Sequence, residues 1–218
     1  MCFSASASFG ASALLAGAGI LAIKKVESRK MLPFAATPLL FSVHQFSEGM
    51  VWLTFSNPDL ASWQQAATYF YLFIAQLTWP LWVPFVVWLM EPDQARKKLI
   101  SYFMWIGGAF SIYLLYCFIN YEVSAVVESS HIRYQMHFPN LALRRVFYFL
   151  ATIVPIFLSS LRYMKLLGGA FLGSLILTFI FYTLCVISVW CFFAALLSAL
   201  VLLVLVTNKQ ANIPLHVT

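Results

Sequence analysis

The chain has 218 residues, of which 62% are hydrophobic and 9% are charged, and its mean hydropathy is +0.88. Soluble domains typically have about 45–50% apolar and about 25% charged residues, so this composition excludes a water-soluble domain and predicts a polytopic protein of the lipid bilayer. The formal net charge of +6 does not indicate a nucleic-acid partner, because the basic residues lie in short clusters between apolar segments.

The first predicted span covers about residues 3–23 and is rich in Ser, Gly and Ala, small residues that let membrane helices pack closely. No basic segment precedes it, so we expect it to remain in the mature protein and not to act as a signal peptide. A basic cluster follows at residues 24–30. The second span covers about residues 32–55, and Pro38 predicts a kink within it.

The third predicted span covers about residues 66–90 and contains Pro80 and Pro84, which predict a distorted helix. Its tryptophans are typical of a membrane interface. A second basic cluster, at residues 96–98, precedes the fourth span at about residues 99–120.

The segment 122–140 is polar, and its alternating stretches predict a short hairpin or lid on the membrane surface. The fifth span covers about residues 143–161. Residues 166–206 form an apolar run of about forty residues, enough for two spans, which we predict to break near residues 186–188. The fold is therefore predicted to be all-α, a single domain of seven transmembrane helices over residues 1–218.

The basic residues predict the orientation of these helices. With the N-terminus outside and the C-terminus in the cytoplasm, ten of the 13 Lys and Arg residues lie on the cytoplasmic side. Only Arg133, Arg144 and Arg145 lie outside, as the positive-inside rule requires. The hairpin between helices 4 and 5 is then extracytoplasmic.

Glu48 is the acidic residue that this topology places at membrane depth. An ionisable group inside a bilayer costs roughly 2.5 kcal/mol or more, so it normally faces the bundle interior and has a function. His44 lies one helical turn before it on the same face. This pair is the predicted centre of the site.

Polar, aromatic and thiol side chains from most helices share the outer half of the predicted bundle. We expect them to line a pocket around Glu48 that opens to the exterior. The candidate ligand-binding residues are Gln45, Glu48, Trp52, Gln76, Tyr116 and Trp190, and the candidate metal ligands are Cys2, His44, Glu48 and Cys191.

Three kinds of function fit these residues. Glu48, His44 and the thiols are plausible ligands of a transition metal ion, which would allow a metal-dependent membrane enzyme acting on a lipid or other hydrophobic substrate. A buried carboxyl also suits a proton-coupled transporter. A module that binds a lipid or small molecule without catalysis is the third. The structural alternative is that Glu48 pairs with Gln76 or tyrosine hydroxyls only to fix helix packing.

Common catalytic motifs do not decide among these functions. The chain contains no GxSxG, HExxH or phosphate-binding loop, and the seventh predicted span has no lysine for a retinal Schiff base. Whether the protein is an enzyme stays open at this stage.

Three sequence blocks occur in order along the chain: the opening Met-Cys-Phe-Ser-Ala, the block from Gln45 to Trp52, and the block that begins at Ser188 and contains Trp190-Cys191. Together these blocks resemble those of an uncharacterised family of bacterial multi-pass membrane proteins. The resemblance implies seven helices in the bacterial inner membrane and no particular activity. The resemblance implies glutamine at the position of His44, so His44 departs from the family pattern. This makes His44 a weaker candidate for an essential ligand than Glu48, Cys2 and Cys191.

The sequence thus predicts an inner-membrane protein whose Glu48-centred pocket binds a metal ion or small ligand. Its partners are the bilayer and a lipid or small-molecule ligand, and an oligomer or a larger membrane complex is compatible with the chain.

Overall fold

The computed structural model of the protein describes residues 4–26, 28–128 and 130–210. These residues are mostly helical, with one two-stranded antiparallel sheet. The elements described are α1 (Ala5–Lys25), α2 (Leu32–Ser56), α3 (Gln64–Leu72), α4 (Trp79–Met90), α5 (Gln94–Asn120), β1 (Val123–Glu128), β2 (His131–Met136), α6 (Leu141–Thr152), α7 (Val154–Leu158), α8 (Arg162–Phe181), α9 (Val186–Ser198) and α10 (Leu200–Gln210).

Six segments of the described chain are long and apolar enough to cross a membrane, as expected of a multi-pass membrane protein. They are Ala5–Lys25, Pro58–Met90, Gln94–Asn120, Leu141–Leu158, Arg162–Phe181 and Thr183–Leu205. Helix α2 has 25 residues but is not among these six, because His44, Gln45 and Glu48 make it less apolar. The seventh span and the orientation in the membrane therefore stay predictions.

Helices α1 and α2 pack closely because small residues face each other. The Ser12 hydroxyl donates to the Ser42 carbonyl oxygen at 2.9 Å, and the Ser42 hydroxyl donates to the Ser12 carbonyl oxygen at 2.8 Å. A Cβ at Gly19 would lie 2.8 Å from the backbone nitrogen of Leu39. This packing seats α2 against α1, and α2 also contacts α3, α9 and α10.

The predicted distortion of the third span is present. A π-helical stretch, Phe73–Thr78, separates α3 from α4, and Pro80 follows it. Two side chains from neighbouring helices bond to the carbonyls of this stretch: the Tyr148 hydroxyl donates to Ala75 at 2.8 Å and the Ser111 hydroxyl to Leu77 at 3.0 Å. The irregular backbone is thus stabilised inside the bundle, as membrane depth requires.

The predicted hairpin is present between α5 and α6. Strands β1 and β2 pair antiparallel with Val123 opposite Met136, and the side-chain amide of Gln65 in α3 donates to the Val123 carbonyl at 3.0 Å. Tyr134 of β2 stacks on Tyr71 of α3 with ring centroids 4.5 Å apart. The hairpin therefore packs onto the helices, while its role as an extracytoplasmic lid stays a prediction.

Two predicted helix boundaries differ from those of the structure. The long apolar run breaks at Tyr182 and the 3-10 turn Thr183–Cys185, ahead of the predicted 186–188. No Gly or Pro marks this break, so the sequence carried no strong signal for it. The fifth span is divided at Ile153, where α7 begins with Pro155 near its start, because proline cannot donate a helical hydrogen bond.

Candidate functional site

One turn of α2 buries three polar side chains in the centre of the bundle. His44, Gln45 and Glu48 are each 0% exposed. Their spacing explains this, since residues three and four apart share one helical face, and that face of α2 looks towards α3 and α9. The structure therefore confirms that Glu48 and His44 are buried together.

Glu48 bonds to α9. The Ser188 hydroxyl donates to Glu48 Oε1 at 2.5 Å. Within the described chain the other carboxyl oxygen, Oε2, has no hydrogen-bond partner. The Gln45 amide lies close enough to interact with this carboxyl electrostatically, although neither amide atom makes a well-formed hydrogen bond to a described residue.

His44 stacks on aromatic rings. Its ring centroid lies 4.6 Å from that of Tyr71, which in turn stacks on Tyr134 of the hairpin. Neither ring nitrogen of His44 bonds to a described residue. An aromatic column thus joins the buried turn of α2 to β2.

Cys191 of α9 lies beside this turn, and the two candidate tryptophans lie on the same two helices, α2 and α9. The Cys191 thiol, 4% exposed, is close enough to Glu48 and Tyr71 to interact electrostatically with both. Trp52 is 6% exposed, and the indole N–H groups of Trp52 and Trp190 are buried without a partner among the described residues. We call His44, Gln45, Glu48, Ser188 and Cys191 the Glu48 cluster.

Two other predicted ligand-binding residues are not part of this cluster. Gln76 lines a large cavity that Cys191 also lines, described below. Tyr116 is 57% exposed on α5, so the structure does not bring it to the Glu48 cluster. The suggested pairing of Glu48 with Gln76 is replaced by the bond from Ser188.

The described residues contain no group of three or more His, Cys, Asp and Glu side chains placed to hold a metal ion. His44, Glu48 and Cys191 therefore do not form a three-ligand site by themselves. Cys2, the fourth predicted metal ligand, lies outside the described residues, so the predicted metal site stays a prediction.

Two cavities adjoin the cluster. One, of about 90 Å³, is lined almost entirely by apolar groups of α2, α4 and α6–α10. The other, about 860 Å³, lies between α6 on one side and α8–α9 on the other, with β2 at one end; we call it the lateral cleft. Trp190 and Cys191 line both cavities, whereas His44, Gln45 and Glu48 line neither.

A second buried carboxyl provides a contrast with Glu48. Glu91, 2% exposed at the end of α4, accepts hydrogen bonds from the Ser159 hydroxyl and the Ser160 backbone N–H, each at 2.8 Å, and from the Ser160 hydroxyl at 2.5 Å. Both of its oxygens are paired, so Glu91 ties α4 to the α7–α8 turn. Glu48 lacks such pairing on one oxygen.

Sequence reasoning did not identify the bond from Ser188 or the aromatic column. A signal for Ser188 exists, since it lies one turn before Cys191 and so shares its helical face. Likewise, the period of two in β2 places Ile132 and Tyr134 on one face of the hairpin, and both are buried. Neither pattern names the partner on the facing helix.

The chain belongs to a family of unknown function (DUF6629), whose family model matches residues 1–216. This confirms the resemblance to an uncharacterised family. A search of curated proteins and a search of solved structures each found no match.

Proposed function

We propose that this membrane protein binds a small hydrogen-bonding ligand at the Glu48 cluster, with Trp52 and Trp190 as walls. The observation that carries the proposal is the concentration of unpaired polar atoms on one turn of α2. Both ring nitrogens of His44 are buried without a hydrogen bond to a described residue. The Gln45 amide and Glu48 Oε2 lie beside each other but make no well-formed hydrogen bond to a described residue. Native proteins pair most such atoms, and each unpaired one costs about 1–3 kcal/mol.

A ligand with both donors and acceptors would pair these atoms. Glu48 Oε2 and the Gln45 amide oxygen accept, the Gln45 amide nitrogen donates, and His44 offers one donor and one acceptor when neutral. No Lys or Arg of the described residues forms an ion pair with Glu48. A buried carboxylate without a counter-ion is costly, so the ligand supplies a cationic group or hydrogen bonds to a protonated carboxyl.

The surrounding architecture supports entry from the hairpin end. Tyr134 and Tyr71 form the aromatic column between β2 and His44, so moving the hairpin would uncover the cluster. The proposal adopts the predicted topology, in which this end faces the exterior, α2 crosses the membrane as one of seven spans, and the membrane is a bacterial inner membrane. The hairpin acts as the lid in this proposal.

Proton-coupled transport is a second candidate function, and the irregular third span favours it. Broken membrane helices commonly form substrate sites in transporters, and the π-helical stretch Phe73–Thr78 lies directly before Trp79, whose ring contacts His44. A metal-dependent enzyme would require Cys2 or another group to complete the ligand set.

The test compares wild type with Glu48→Gln, because a glutamine oxygen can still accept from Ser188 and the fold should persist. Native mass spectrometry of protein purified in mild detergent without chelators should show a small bound molecule that is lost in Glu48→Gln. Elemental analysis of the same samples would identify a metal ion in its place. His44→Phe, which keeps an aromatic ring but removes both nitrogens, should also lower occupancy.

Glu91→Gln is the matched control, because it removes the other buried carboxyl without touching the cluster. It should retain the bound molecule. The proposal is wrong if folded Glu48→Gln carries the same molecule as wild type, or if wild type carries only lipid. Uptake driven by a pH gradient in proteoliposomes, lost in Glu48→Gln, would favour the transporter.

A further inference from the structure

The lateral cleft is a second candidate site beside the Glu48 cluster, with which it shares Cys191. Its volume of about 860 Å³ is within the range of roughly 300–1,000 Å³ typical of small-molecule sites. One end lies under β2 and the first turns of α6, and the other end extends between α6 and the apolar helices α8 and α9. The first end carries arginine side chains, and the second is mainly apolar.

Arg144 is the main charged group of the cleft. It is 7% exposed and lines the cavity. Its guanidinium group donates only a long bond, 3.5 Å, to the Phe138 carbonyl, lies 5.2 Å from the Phe138 ring, and leaves Nε without a partner among the described residues. No described carboxylate forms an ion pair with it. A buried arginine normally has an anionic partner.

The other permanent charges in the lining have the same sign. Arg133 and Arg145 line the cleft with Arg144, and its described lining contains no Asp or Glu. Glu128 pairs with Arg133 at 3.1 Å from outside the lining. Arg145 of α6 lies 5.6 Å from the ring of Phe179 on α8, so it joins the two walls of the cleft. This end therefore favours an anion.

The rest of the lining is mainly apolar. It includes Leu175 and Phe179 of α8, Val186 and Ile187 of α9, and Leu150 of α6. Helices α6, α8 and α9 belong to segments apolar enough to cross a membrane. A free anion would leave these walls without a complementary group, whereas an acyl chain would cover them.

We propose that the lateral cleft binds an anionic amphiphile, with a phosphate or carboxylate headgroup held by Arg144 and Arg145 and an acyl chain lying between α6 and α8–α9. Basic pockets between membrane helices bind lipid headgroups in this way. The proposal for this site does not depend on a ligand at the Glu48 cluster, although Trp190 and Cys191 line the cleft and also belong to the proposed Glu48 site.

Titration of the purified full chain with defined lipids, followed by native mass spectrometry, tests this site. Dioleoylphosphatidylglycerol is the anionic probe and dioleoylphosphatidylcholine the zwitterionic one. Wild type should bind the anionic lipid several-fold more tightly, and Arg144→Gln should lower that affinity about fivefold. Arg162→Gln, which removes an exposed arginine at the start of α8, is the matched control and should bind as wild type does.

Two further measurements distinguish a lipid site from a site for a free anion: competition with inorganic phosphate and binding by a Leu175→Trp variant. Inorganic phosphate should not displace the anionic lipid; displacement at millimolar phosphate would show a free-anion site and overturn the proposal. Leu175→Trp keeps every charge but fills the apolar part, so it should weaken binding even if Arg144→Gln fails to fold. Equal binding of both lipids by wild type, or unchanged binding in Leu175→Trp, would also overturn it. Glu48→Gln should leave this binding intact.

Discussion

Two buried carboxyls in the bundle, Glu91 and Glu48, differ in their hydrogen bonding. Glu91 has hydrogen bonds to both oxygens and joins two segments of the chain, which is a structural role. Glu48 has one bond from Ser188 and an unpaired oxygen. Since leaving a buried polar atom unpaired is costly, we infer a functional reason for it at Glu48.

The bond between Ser188 and Glu48 should stabilise the contact of α9 with α2. Ser188→Ala removes the donor and leaves the buried carboxyl with fewer partners, so we expect the free energy of unfolding to fall by about 1–3 kcal/mol. Thermal unfolding in detergent checks this. Ser198→Ala is the control, because its hydroxyl is also buried but bonds only to Ala195 within the same helix.

A double-mutant cycle tests whether the two side chains act together. The effect of Ser188→Ala should differ between the wild-type and Glu48→Gln backgrounds by about 0.5 kcal/mol or more, as for residues in contact. Additive effects would show that the bond contributes no coupling energy.

At the scale of helices and strands, small residues set how closely the helices approach. Gly107 of α5 contacts α4 so closely that a Cβ there would lie 2.0 Å from the Pro80 carbonyl oxygen. The adjacent Gly108 has no such neighbour within 4 Å. The same double glycine thus contains one position that is required for packing and one that is open.

Gly107→Ala should therefore destabilise the protein, because α5 must move away from the backbone of α4. Overpacking of this kind costs about 1–3 kcal/mol, and the contact with backbone leaves no flexible group to yield. Gly108→Ala should be neutral or slightly stabilising, since alanine favours helix. Melting temperatures of both variants in the same detergent check the difference, and equal values would contradict the close approach.

At the scale of the whole molecule, the number of membrane crossings is six or seven, depending on whether α2 crosses the membrane in addition to the six candidate spans. Helix α2 is less apolar than the six candidate spans, yet α1 and the Pro58–Met90 segment flank it in the chain. Its three most polar side chains, His44, Gln45 and Glu48, are buried by other helices, so low hydropathy does not prevent it from lying within the bilayer.

We expect α2 to cross the membrane, which places residues 28 and 59 on opposite sides. Single replacements Ser28→Cys and Asp59→Cys flank the helix and can be labelled with a membrane-impermeant maleimide in intact cells. Asp59→Cys should react and Ser28→Cys should react only after the membrane is permeabilised. The described native cysteines are buried, so their labelling should be low.

Equal labelling of both positions in intact cells would contradict a seven-span topology. The reverse pattern, with only Ser28→Cys labelled, would keep the crossing but invert the predicted orientation. Either result would also relocate the hairpin and the entrance that we propose for the Glu48 cluster.

Composition and periodicity determined the class of the protein, most helix positions, the hairpin at 122–140 and the burial of Glu48 with His44. These features depend on local chain properties: the apolar content of a span, the alternation in a strand and the spacing along one helical face. The break at Tyr182 was placed too late, because no local signal marks it.

Only the tertiary structure decided which side chains meet. Ser188 lies 140 positions from Glu48, and the partners of Glu91 lie 68 and 69 positions away. Helical periodicity assigns a residue to a face but does not say which helix covers that face. The lateral cleft likewise depends on how α6 and β2 are placed against α8 and α9. The sequence alone therefore does not show that Arg144 is buried in a cavity without a carboxylate partner among the described residues.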